Sequence, residues 1–186
     1  MGSTNGTDLV PIVEAIRKQR LMASVELIIS NNEASGILEK ARLFQIDYRF
    51  ICHKNKKRDV FDFEMSQILE DKEIDLVLLV GFMRILSSGF VEKWGGKIIN
   101  VHPSLLPKHA GGMNSAVHES VLDSGDKETG CTIHLVTKEV DGGPILLQKS
   151  CPVFPDDTPL KLKERVQKLE GEAFIEVINN WSNYEH

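Results

Sequence analysis

Cysteine is scarce in this chain of 186 residues. There are three, Cys52, Cys131 and Cys151, far apart and odd in number. That count excludes a disulfide-stapled scaffold, and each sits in an apolar, strand-like stretch where a buried free thiol is expected. No Cys-x-x-Cys occurs and the histidines do not pair at metal-ligand spacing, so no metal is expected. No apolar run reaches the ~18 residues that a membrane span needs, and neither end reads as a signal peptide. Basic runs stop at the short Lys54-Asn-Lys-Lys-Arg58, and the formal net charge is −5. A nucleic-acid groove and a membrane-surface helix are therefore poor readings, and the lysine cluster reads as a solvated loop. A reducing, cytoplasmic setting and small-molecule partners fit this composition, with a monomer or homodimer as the expected state.

What is present is enough apolar material, 41% of the residues, to bury one core, so a single domain over 1–186 is expected. Helical periodicity covers Leu9 to about Arg20, 34–45, 61–71, 88–94 and 115–123, with a long amphipathic helix starting at Thr158. Strand-like runs fall at 23–30, 48–52, 74–80, 97–101, 131–137 and 145–153. The run Ile74–Val80 is almost continuously apolar, as in a strand covered on both faces of a parallel sheet. This alternation predicts an α/β, doubly wound, mostly parallel Rossmann-like sheet. The last two strands, joined through Asp141-Gly-Gly-Pro144, add an antiparallel hairpin, and the long helix closes the fold.

The N-terminus departs from that scheme. A loop of glycine and small polar residues, Met1 to Asp8, feeds the first helix, with Asp8 or Thr7 available as its cap. Such a loop ahead of a helix is a potential anion site, because free N–H groups and the helix dipole face it. The strand that ordinarily precedes it in an α/β unit is not seen at the N-terminus.

The chemistry centres on Lys97–Pro107, KIINVHPSLLP. Side chains alternate along a strand, so Asn100 and His102 share one face at the strand's end. On spacing alone, a polar strand end capped by a proline turn reads equally well. Asp141, in a turn just after a strand, is placed to reach His102 and favour its protonated form. A carboxamide alongside can hydrogen-bond an oxygen that becomes negative. No serine or cysteine is placed as a nucleophile, which points to acyl transfer directly between two bound small molecules. His134 alternates with apolar neighbours and reads as a packed strand histidine. His109 and His118 read as loop and helix-face residues.

Asn100-Val-His102-Pro-Ser-Leu-Leu-Pro107, Asp141 within VDGGPILLQ and the GFMRILS run at 81–87 together resemble the glycinamide ribonucleotide transformylase (phosphoribosylglycinamide formyltransferase) family. The likeness runs from the first loop to the final helix. It implies the formyltransferase version of the Rossmann-like fold, with 10-formyltetrahydrofolate as co-substrate and phosphoribosylglycinamide as acceptor. It implies His102 as general acid, Asn100 as oxyanion stabiliser, and Asp141 as the partner of His102 and organiser of a water. Arg58, Met83, Arg84, Ile85, Leu86 and Val140, with Asn100 and Asp141, are implied on the folate side. Gly6, Thr7, Asp8, Pro103 and Glu170 are implied on the phosphoribosyl side. The chain has Thr7 and Asp8 where the family has serine and asparagine, and its 108–118 segment differs from the family's shorter loop. An aspartate there would repel a phosphate unless its side chain turns away to cap the helix. Methionyl-tRNA formyltransferase, formyltetrahydrofolate hydrolase and a non-catalytic folate- or nucleotide-binding relative share parts of the pattern and remain alternatives.

Overall fold

A computed structural model describes residues 1–113 and 115–184, so Asn114 of the 108–114 loop and the last two residues of the expected domain lie outside the described residues. The chain runs α1 (Leu9–Arg17), β1 (Ile28–Ser30), α2 (Gly36–Phe44), β2 (Tyr48–Phe50), α3 (Arg58–Asp71) and β3 (Val77–Leu79). It continues through α4 (Ser88–Lys93), β4 (Ile98–His102), α5 (Ser115–Asp123), β5 (Glu128–Leu135), β6 (Ile145–Pro152) and α6 (Pro159–Asn179), ending in a 3-10 turn at Trp181–Asn183.

β1 pairs with β2 and β3 with β4 in parallel, whereas β4–β5 and β5–β6 are antiparallel. Met1–Ser3 run between β1 and β3 and join the two pieces of sheet. Gly2 N–H donates to Ile29 C=O (3.0 Å), and Val80 N–H to Met1 C=O (2.8 Å). Ser3 N–H donates to Gly81 C=O (3.0 Å) and the Met1 amino group to Leu78 C=O (2.5 Å).

Successive strand residues feed opposite layers. Ile99 packs with Leu9, Ile12, Val166, Phe174 and Val177 under α1 and α6, while its neighbour Ile98 packs with Phe61, Met65, Phe90 and Trp94 under α3 and α4. This is the doubly wound arrangement. α6 starts where the sequence dictates: Pro159 occupies the first turn, and Thr158 Oγ1 accepts from Lys161 N–H.

The structure trims several expected elements. Ordered pairing of β1 begins at Ile28 rather than Ala23, in a stretch where Met22 is 91% exposed. α1 stops at Arg17 instead of Arg20, because Gln19 takes φ +55°. α3 starts at Arg58, three residues early. Cys131 and Cys151 are buried free thiols, but Cys52 is exposed, since it follows β2 into a surface loop rather than pointing into the core.

Candidate active site

A cleft of about 940 Å³ opens at the carboxyl ends of β3 and β4, where a doubly wound sheet receives ligands. Its lining gathers Asn100, His102 and Asp141 with Arg58, Met83–Leu86 and Val140 from the α3, β3 and β6 sides. It also includes Gly6, Thr7, Asp8, Pro103 and Glu170.

His102, on the last position of β4, is 3% exposed. Its Nε2–H donates to the His109 carbonyl (3.0 Å), and its Nδ1 lies 3.3 Å from Asp141 Oδ2. Both ring nitrogens thus face oxygen atoms, one a backbone carbonyl and the other a carboxylate. Asp141 is held with φ +54°, a conformation costly for a non-glycine residue. Its Oδ2 also accepts from Gly111 N–H (2.8 Å), so the 108–113 loop is tied directly to this carboxylate. The loop is pinned at its other side, where the His109 ring bonds Ser120 Oγ (2.8 Å) and Asp126 Oδ2 (3.0 Å). The His109 bond to Asp126, with that from Lys108, holds the Asp126 carboxyl down to about 2.

Pairing of β4 with β5 sets Asn100 opposite His134. Asn100 Nδ2 donates to His134 Nε2 (3.1 Å), and His134 Nδ1–H donates to the Leu135 carbonyl (2.9 Å). Burial pushes the His134 imidazole below its usual range, so the ring is neutral and its Nε2 lone pair is the acceptor. The 3.6 Å approach of Nε2 to Asp141 Oδ1 is accordingly not an ion pair. His134 therefore fixes the carboxamide and leaves its second N–H for a ligand. Sequence reasoning makes His134 mere packing; only the cross-strand register shows otherwise.

In the 81–87 segment, Met83 N–H donates to Ser3 Oγ (2.9 Å), so this amide serves the loop rather than a ligand. The Arg84 guanidinium stacks over Phe61, 4.7 Å from the ring centroid, and its buried Nε is without a partner among the described residues. Ile85 and Val140 are 57% and 53% exposed, leaving apolar surface at the mouth for a flat heterocycle. That surface and the orphaned Arg84 Nε suit a flat ligand that carries hydrogen-bond acceptors.

At the α1–α6 side, Gly6 takes φ +60°, and a Cβ there would lie 2.3 Å from Ile37 Cγ1, so glycine is required. Asp8 departs from its expected role. It sits at the N-cap position with helical φ −72°, ψ −16°, and makes no capping bond. Its carboxyl instead meets Glu170, which is buried rather than a solvated helix charge. Burial pushes both carboxyls up, Asp8 to about 7, and the neighbouring Asp8 charge raises Glu170 further. His118 is also buried, not a surface helix residue. Desolvation first, then Lys163 and His102, lowers it to about 4, and its Nδ1 has no partner among the described residues. Lys163 and Gln167, which the sequence reading does not single out, line the same wall two turns and one turn, respectively, before Glu170 on α6.

A ligand cleft at the strand ends of a doubly wound sheet is what these features define, and the chain belongs to the formyl transferase family, which it matches over residues 1–178. It is 37% identical over 178 residues to the phosphoribosylglycinamide formyltransferase of Escherichia coli (strain K12), covering 95% of this chain and 82% of that one. It is 44% identical over 173 residues to the trifunctional purine biosynthetic protein adenosine-3 of Bos taurus; this covers 92% of the chain but only 17% of that much longer protein. In three dimensions it resembles the phosphoribosylglycinamide formyltransferase of Coxiella burnetii with a TM-score of 0.92 and 35% identity, covering 100% of this chain and 88% of that one. Among the described residues, no helix is long and apolar enough to cross a membrane.

Proposed function

We propose that this chain transfers a formyl group from 10-formyltetrahydrofolate to the amine of 5-phosphoribosylglycinamide, a one-carbon step of purine synthesis. The observation that carries this reading is the buried His102–Asp141 pair at 3.3 Å, sharing a cleft with the oriented carboxamide of Asn100. The folate supplies the formyl group and an amine leaving group. As the acceptor amine attacks the formyl carbon, the new C–N bond pushes charge onto the formyl oxygen, and the free N–H of Asn100 hydrogen-bonds that oxygen. Breaking the old C–N bond requires a proton on the departing nitrogen, and His102 Nε2–H supplies it. The attacking amine gives up a proton in exchange, so the ring is restored. Asp141 provides the counter-charge that lets His102 carry two protons, and its second oxygen is free to order a water.

The resting protein spends the Nε2–H of His102 on the His109 carbonyl. Ligand must therefore displace that carbonyl, which moves the 108–113 loop. Arg58, Arg84, Ile85, Leu86 and Val140 hold the folate; Met83 supports the wall through Ser3. Gly6, Thr7, Asp8, Pro103 and Glu170 hold the phosphoribosyl group.

Formyl transfer measured with purified wild-type chain and His102→Ala tests the reading. A fall of about 10²–10⁴-fold in kcat, with both ligands still bound, is expected when a general acid is removed. Equal turnover by the two proteins would overturn it.

A further inference from the structure

Asp8 and Glu170 meet because α1 and α6 pack closely. A Cβ on Gly171 would lie 2.5 Å from Pro11 Cγ, so glycine at that position permits the approach. The two residues are 4% and 7% exposed and line the cleft wall. Glu170 donates a hydrogen bond to Asp8, and Asp8 Oδ1 has no partner among the described residues. Two carboxyl groups bonded to each other hold at least one proton between them, because a carboxylate can only accept.

We propose that Asp8 gates phosphoribosyl binding through its protonation state. The carboxyl pair it forms with Glu170 binds phosphoribosyl ligands in its fully protonated form, and loses affinity for them when Asp8 ionises beside the Gly6–Thr7 loop. This rests on the phosphoribosyl reading of the α1–α6 wall. In the protonated pair, the second hydroxyl gives the unpartnered end of Asp8 a donor for a phosphate or ribose oxygen. In the ionised pair, the same atom is an acceptor carrying charge, and a phosphate beside it is repelled.

The groups facing the pair do not cancel this change. Lys163 on α6 is positive and draws Glu170 slightly down, but it does so in both forms. His118 on α5, lowered by burial to about 4, is neutral across the range in which Asp8 titrates. Cys131 on β5 is pushed far up by burial and by both carboxyls, so it stays a neutral thiol. Asp8 itself is the group whose charge changes near neutrality, its carboxyl carried to about 7 by burial.

The test is direct binding of ribose 5-phosphate, without folate, followed by calorimetry from about pH 6 to 9 on wild type and Asp8→Asn. In wild type, Kd should rise above neutrality, approaching about tenfold per pH unit, with up to one proton taken up per ligand as judged from buffers of different ionisation enthalpy. Asp8→Asn should show a flat Kd above neutrality and no such uptake; the ligand's own phosphate ionisation appears in both proteins and cancels in the comparison. A flat wild-type profile, or parallel profiles in the two proteins, would overturn the gating while leaving the phosphoribosyl site intact. No binding by either protein at any pH would overturn the site reading and this proposal with it.

Discussion

Replacing His134 with leucine isolates the part of the site that orients Asn100. The substitution removes two partners at once: the Nε2 that accepts from Asn100 Nδ2 at 3.1 Å and the Nδ1–H given to the Leu135 carbonyl at 2.9 Å. With His134 only 2% exposed, no bulk water replaces them. An orphaned buried polar group costs about 1–3 kcal/mol, so the two lost bonds should lower the unfolding free energy by roughly 2–6 kcal/mol. The carboxamide, no longer fixed, aims at the formyl oxygen for only part of the time. If about 1.4–2.7 kcal/mol of its contribution is felt only in the transition state, kcat falls about 10–100-fold while KM for both substrates changes little. His134→Gln restores an acceptor and should recover part of kcat. The assay is steady-state formyl transfer normalised to the folded fraction, with urea unfolding alongside. A leucine variant with wild-type kcat would refute the idea that His134 orients Asn100. A loss confined to KM would refute the transition-state role given to the carboxamide.

Two further outcomes follow from other contacts. Gly171→Ala sets a helix-propensity gain of about 1 kcal/mol against overpacking of about 1–3 kcal/mol. The Pro11 ring 2.5 Å away cannot rotate aside, so a net loss of stability and weaker phosphoribosyl binding are expected; a more stable variant would show the α1–α6 seam to be loose. Asp157 receives two bonds from Arg165, at 2.6 and 2.8 Å, which with its other contacts bring its carboxyl down to about 2. A depressed carboxyl stabilises the fold above the unfolded value, near about 4, and that stability is lost as pH falls through the folded one. Acid titration of unfolding should therefore steepen between those values in wild type and flatten in Asp157→Asn, and superimposable curves would refute the assignment.

The local periodicities carried far. Ile98, Ile99 and Val101 mark β4, and the two-residue step places Asn100 and His102 on the cleft face without any tertiary knowledge. The resemblance supplied what spacing could not, the phosphoribosyl and folate walls. Long-range pairing stayed hidden. His134 gains its role from facing Asn100 across β4 and β5, and nothing in CTIHLVT encodes that register. Asp8 fits the sequence rule for a helix cap, yet a buried partner from α6 outcompetes the capping bond, a choice local chemistry cannot foresee. The alternating stretch at 23–27 has the pattern of a strand, but pattern supplies no neighbour, and ladder bonds begin only at Ile28.

Met1–Ser3 join β1 to β3 with a handful of hydrogen bonds and then run straight on into the Thr4–Asp8 loop. Ser3 Oγ meanwhile donates to Asn31 Oδ1 and accepts from Met83 N–H. The joint between the halves of the sheet and the ligand loop are thus one continuous piece of backbone. Whatever grips the loop also clamps the seam, so occupancy of the cleft should be reported at a distance, as slower amide exchange at Gly2, Ser3 and Val80. The β1–β2–α2 lobe would then open independently of the rest when the cleft is empty and together with it when the cleft is filled, which makes ligand a determinant of how many cooperative units this chain has.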